Sequence, residues 1–104
     1  MGNQQLQVIA HYYTRPDEVE NVATALHALA AATRQETDNL SYAFFQSLED
    51  RRHFVILERC RHAGGLDAHR ATPHFQHLGL EVIAPLLDKK EVQSFLIPQT
   101  DNDR

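Results

Sequence analysis

The chain has 104 residues and a mass of 11.9 kDa, enough for one ordinary hydrophobic core and too little for two. With 42% hydrophobic and 23% charged residues, four glycines and four prolines, its composition excludes disordered, collagenous and low-complexity classes. Ten Lys and Arg against fourteen Asp and Glu give a net charge of -4 with no block of like charge, which argues against nucleic-acid phosphates and membrane surfaces as partners.

No apolar run approaches the roughly 20 residues of a membrane-spanning helix. Residues 1–5, Met-Gly-Asn-Gln-Gln, lack the basic and apolar regions of a secretion signal. The single cysteine, Cys60, has no intrachain disulfide partner, which fits a reducing cytoplasm. The expectation is one cytoplasmic domain over residues 1–104, with a core at 6–97 and flexible tails at 1–5 and 99–104.

Residues 6–13, rich in β-branched and aromatic side chains and closed by Thr14-Arg15-Pro16, predict a first strand leading into a helix start. Val19, Val22, Ala23, Leu26, Leu29 and Ala30 recur at spacings of three and four, the stripe of a helix of about five turns. That helix is expected to end near Glu36, before the turn formers Thr37-Asp38-Asn39. Residues 40–46 and 54–60 alternate as two strands of a hairpin, the second placing Phe54, Ile56, Glu58 and Cys60 opposite Val55, Leu57 and Arg59.

A short helix is expected at 63–70. Thr72 then serves as N-cap and Pro73 as first residue of a second main helix carrying Phe75, Leu78, Val82, Ile83 and Leu86, which Pro85 should bend or shorten. A last strand is expected at 91–97, with Phe95 and Ile97 on one face and Val92, Ser94 and Leu96 on the other. The order strand, helix, strand, strand, helix, strand is ferredoxin-like α+β: a four-stranded antiparallel sheet with its helices on one face. Apolar side chains on both faces of several strands leave one face uncovered, and pairing with a second copy would cover it. A homodimer is expected.

Residues 54–59 (Phe-Val-Ile-Leu-Glu-Arg), the segment 66–75 from Leu66 to Phe75 through Thr72-Pro73-His74, and the stretch 29–42 together resemble the antibiotic-biosynthesis-monooxygenase family. The resemblance covers residues 6–97. It implies a dimeric α+β barrel with an apolar pocket between sheet and helices, acting on a small aromatic, a quinol or polycyclic phenol, with dioxygen and without metal, flavin or haem. Cys60 stands where many members have Trp, and Asn39 where many have Gly. The chain has no Trp, and Gly79 stands where the haem-degrading branch places a His, so haem degradation is not expected. An isomerase of a small oxygenated signal molecule and a non-catalytic dimer that binds an apolar ligand are the alternatives.

His69 and His74 flank a helix start and are the leading acid-base candidates, a role resting mainly on the family pattern. The alternative is that His74 holds the turn and His69 packs on the surface. Glu58 alternates with Phe54 and Ile56 into the apolar layer, where a carboxylate needs a partner: it either orients His69 or His74, or pairs with Arg59 or Arg34. His11, Tyr12, Tyr42 and Phe75 are candidates to shape the pocket, although a strand Tyr is more often core. His74 and His77 have a metal-compatible spacing with His69 nearby, but no third ligand is evident. Cys60 on an apolar strand reads as packing rather than a nucleophile.

Overall fold

The computed structural model describes residues 4–98. β1 (Gln4–Thr14) is followed by a 3-10 turn at Pro16–Glu18 and by α1 (Val19–Thr33). β2 (Asn39–Gln46) and β3 (His53–Cys60) form a hairpin, then come α2 (Gly65–Arg70), α3 (Phe75–Ile83), a 3-10 turn at Ala84–Leu86 and β4 (Leu87–Pro98). The sheet is antiparallel throughout, in the order β2-β3-β1-β4, which is the expected ferredoxin-like topology. No helix among the described residues is long and apolar enough to cross a membrane.

Strict alternation decides which side chains meet the helices. β1 buries Leu6, Val8, Ala10, Tyr12 and Thr14, and β3 buries Phe54, Ile56, Glu58 and Cys60. Over this layer α1 lays Val22, Ala25, Leu26, Leu29 and Ala30, and α3 adds Ile83. Leu26 and Leu29 are wholly inaccessible, so truncating either to Ala costs about 2–5 kcal/mol. Ala25, rather than the expected Ala23, belongs to the fully buried stripe.

The opposite face runs in cross-strand rows. Phe45, Val55 and His11 form one, Ala43, Leu57 and Ile9 the next. Phe45, Leu57 and Phe95 are exposed there, which leaves apolar surface open as expected.

Several boundaries and one side-chain orientation depart from the sequence expectation, and α2 begins at Gly65 rather than at residue 63. β1 starts at Gln4, inside the expected flexible tail, because Gln4 and Gln5 pair with Pro98 and Ile97. The 99–104 tail lies outside the described residues. α1 stops at Thr33 instead of near Glu36: the N–H groups of Gln35 and Glu36 bond three residues back, to Ala32 and Thr33, which tightens the chain into a turn. Leu40 falls in a register shift between Asn39 and Ser41 and is exposed rather than sharing the Tyr42 face. β4 begins at Leu87 rather than at residue 91, since its first residues continue the ladder to Tyr12 and Tyr13.

α3 also has an unexpected geometry. It winds as a π-helix, and the Ala84 N–H donates to the Gly79 carbonyl five residues back. A Cβ on Gly79 would sit 3.0 Å from the Phe75 ring, so the missing side chain lets that ring lie along the helix. Pro85, lacking an N–H, falls in the 3-10 turn that ends the segment, the shortening expected of it.

Candidate functional site

Between the buried sheet face and the α2–α3 segment lies a narrow cleft. Its atom-free space is about 380 Å³, including the part open to solvent. Val8, Ala10, Ile56 and Val92 form the apolar floor, with Leu66 and Phe75 over it. Tyr12, Tyr42, Glu58 and His69 supply polar groups to its walls, together with the exposed side chains of Arg70 and Lys90.

The central feature is a carboxylate shared by two imidazoles. Glu36 Oε2 accepts from His69 Nδ1 at 2.8 Å and from His74 Nε2 at 2.5 Å. An ionised carboxylate only accepts, so each ring nitrogen facing it carries the proton. In the neutral tautomer of His69 the lone pair then lies on Nε2, which has no hydrogen-bond partner among the described residues. The His69 side chain is 4% exposed and that of Glu36 15%, so water competes weakly for this bond.

Local structure explains the convergence. The early end of α1 moves Glu36 off the helix and into the turn before β2, where Asn39 N–H bonds its carbonyl. Arg34 Nε donates to the Tyr42 carbonyl and ties that turn to the sheet. His69 sits in the last turn of α2. Thr72 links it to α3: its hydroxyl donates to the His69 carbonyl at 2.7 Å and accepts the Phe75 N–H at 3.3 Å, the capping expected of it.

The phenols and the carboxyl in the walls are shifted toward their neutral forms. Burial, and then the charge of Glu58, push Tyr12 up to about 12. Tyr42 moves in the same direction, by burial first and then by Tyr12, Glu58 and Glu36. Burial raises Glu58 above the ordinary carboxylate range, and Glu36 adds to this while His69 opposes it. The Cys60 thiol rises to about 12 through burial and Glu58, which fits packing rather than nucleophilic chemistry.

Of the residues singled out in the sequence, His69, Glu58, Tyr42, Tyr12 and Phe75 line the cleft, and His74 reaches it through Glu36. His11 does not. As an odd-numbered β1 residue it points to the opposite sheet face, where its Nδ1 lies 2.9 Å from His53 Nε2 and its ring stacks with Tyr13 and His53. The direct contacts foreseen for Glu58 are not formed. It makes no hydrogen bond to either histidine and no ion pair with Arg59 or Arg34; its carboxyl meets the Cys60 thiol at 3.7 Å and the Asn39 side chain. Glu36 does the orienting instead.

Glu36, Arg70 and Lys90 escaped sequence reasoning. Glu36 lies 33 residues from His69 in the chain, and no spacing rule links a turn carboxylate to a later helix. Lys90 was hidden by the late boundary assigned to β4. His77, considered as a metal ligand with His74, pairs with Glu81 on the exposed face. The third ligand missing from that pattern is Glu36: Glu36, His69 and His74 offer donor atoms within 4.8 Å of one another, a set whose chemistry suits a divalent transition ion.

Comparison with known proteins places these features in context. Residues 6–78 match the family model described as antibiotic biosynthesis monooxygenase. The Mycobacterium tuberculosis protein named "Putative monooxygenase Rv0793" is 33% identical over 91 residues, covering 88% of each chain. The solved structure of Rv0793 superposes with a TM-score of 0.78 at 29% identity over 96% of this chain and 99% of that one. The fold is also that of the Shewanella oneidensis protein SO0527, with a TM-score of 0.85 at 23% identity over 96% and 98% of the two chains.

Proposed function

Because the chain belongs to the antibiotic biosynthesis monooxygenase family, we propose that it oxidises a small aromatic, a quinol or polycyclic phenol, with dioxygen and without metal, flavin or haem, as a cytoplasmic homodimer. The observation that carries this reading is the Glu36–His69 bond beside an apolar cleft. His69 Nε2 acts as the base that takes the phenolic proton, and Glu36 holds the ring and stabilises the imidazolium that results. His74 braces Glu36 from the other side.

The chemistry then belongs largely to the substrate. The phenolate passes one electron to dioxygen, the substrate radical and superoxide combine into a carbon-bound peroxide anion that takes the proton back from the His69 imidazolium, and loss of water, which carries off the ring hydrogen at that carbon, leaves the quinone. The protein contributes a dry apolar wall and neutral donors, namely the Tyr12 and Tyr42 hydroxyls and the Glu58 carboxyl, beside the developing anion. Phe75 shapes the cavity around the ring. The exposed apolar side chains on the outer face of the sheet support the dimer.

The test is oxygen uptake by metal-stripped protein with dihydroxynaphthalene-type quinols, for the native chain and for His69→Ala. Uptake lost in the variant supports the reading. Turnover of substrate under nitrogen with no uptake in air would replace it with isomerisation, a proton transfer by the same base.

A further inference from the structure

The cleft has a charge pattern that an apolar phenol alone does not use. Arg51, Arg52 and Lys89 each pair with a carboxylate, and Arg34, Arg59 and Arg61 each donate to an oxygen of this chain. Arg15, Arg70 and Lys90 have neither kind of partner among the described residues, and of these Arg70 and Lys90 line the cleft, from α2 and β4. Lys90 Nζ is held over the cleft's aromatic wall, 5.9 Å from the centre of the Tyr12 ring and 6.0 Å from that of Phe75.

Glu58 is the one acid among the cleft-lining residues, and it is 3% exposed in surroundings that favour its neutral form. Nothing in the cleft therefore balances the two cations. Burial and the neighbouring Arg70 charge also weigh against the Lys90 ammonium, a strain that an anion would relieve. The second observation is independent of the rim. Tyr12 and Tyr42 are each 5% exposed and line the same cleft, so their phenol groups form part of its polar wall. Two cations and two phenols thus line a space whose one carboxyl is held toward its neutral form, in a chain whose net charge is -4.

We propose that the cleft selects an aromatic substrate that carries a carboxylate, seated between Arg70 and Lys90 while the ring lies on the apolar floor. This rests on the reading of the cleft as the oxidation site, and it adds the substrate's charge. The planar guanidinium fork matches a carboxylate in two parallel hydrogen bonds, and Lys90 contributes a point charge from the opposite strand. Arg70 and His69 line the same cleft, so a carboxylate docked on Arg70 leaves the adjacent ring hydroxyl of a hydroxyarene within the space that His69 borders.

The test is equilibrium binding, read by fluorescence titration of the full chain with 1-hydroxy-2-naphthoate and with 1-naphthol, two ligands that differ by the carboxylate. The expected result is at least about ten-fold tighter binding of the acid, a gap that narrows as salt is added. The Arg70→Gln/Lys90→Gln variant should lose that gap, the acid weakening by far more than 1-naphthol does. The remote Arg51→Gln/Lys89→Gln variant, with the same change in net charge, should retain it. Equal binding of the two ligands, no binding of either, or equal losses in both double variants would overturn the proposal. Because binding is read without turnover, a preference for the acid with no oxygen uptake would reject the oxidation chemistry and leave the charge selection standing.

Discussion

Glu36 and His69, 33 residues apart in the chain, meet at 2.8 Å because α1 ends one turn earlier than its sequence suggests. Replacing Glu36 by Gln keeps the volume and an acceptor oxygen for both rings, since one oxygen serves both, but it removes the negative charge that stabilises the imidazolium formed on His69. Turnover should fall about 100-fold or more, the range over which positioned acid-base groups act. Thermal melts should show a folded protein. Unchanged oxygen uptake in Glu36→Gln would remove Glu36 from the mechanism.

Glu58 makes a prediction about pH. Its carboxyl is raised in the folded state, so the folded chain keeps a proton at pH values where the unfolded chain has released it. Stability therefore falls as pH climbs from the ordinary carboxylate range through the raised value. Glu58→Gln abolishes that slope. Urea melts at about pH 4 and pH 7 should show the variant gaining on the native chain at the higher pH. A parallel pH dependence in the two proteins would mean that Glu58 is not held neutral.

Gly65 is where α2 touches β3. A Cβ there would lie 2.3 Å from Cys60 Cβ and 2.9 Å from its sulfur, so backbone must move. Gly65→Ala should cost about 1–3 kcal/mol or more in a denaturant titration. Adding Cys60→Ala should recover little, because the nearest clash is with Cβ and not with sulfur.

The outer sheet face gives a test of assembly. Leu57 is 38% exposed, so Leu57→Asp should fold as well as the native chain. In sedimentation equilibrium the native chain should run at about twice 11.9 kDa and the variant at the single-chain mass. A native chain that runs as a monomer would reject the dimer.

Metal removal separates two uses of Glu36, His69 and His74. Prolonged chelation should leave oxygen uptake unaltered, since the proposed base is a free imidazole. Uptake that stops on chelation and returns with a divalent ion would assign the three side chains to that ion instead.

Strand and helix order were legible because alternation and helical stripes are local signals: the buried residues of β1 and β3 are those the period of two selects. Thr72-Pro73 likewise announced the start of α3. Glu36 was not legible, because its partners come from other elements. The face of His11 follows from the same alternation that buries Tyr12, once β1 is known to turn its even residues to the helices. Lys90 entered the cleft because pairing to Tyr12 extends β4 beyond its apolar run, and the wide winding of α3 left no mark in the spacing of its apolar residues.

α2 has six residues, far short of the roughly 12–15 that an isolated helix needs to persist in water. It keeps its shape by resting on Cys60 at one end and by the grip of Glu36 on His69 at the other. Warming should detach this small element while the sheet and α1 stay intact. The protein would then go silent several degrees before its far-ultraviolet signal collapses, and an inactivation curve would report the seating of one short helix rather than the melting of the whole.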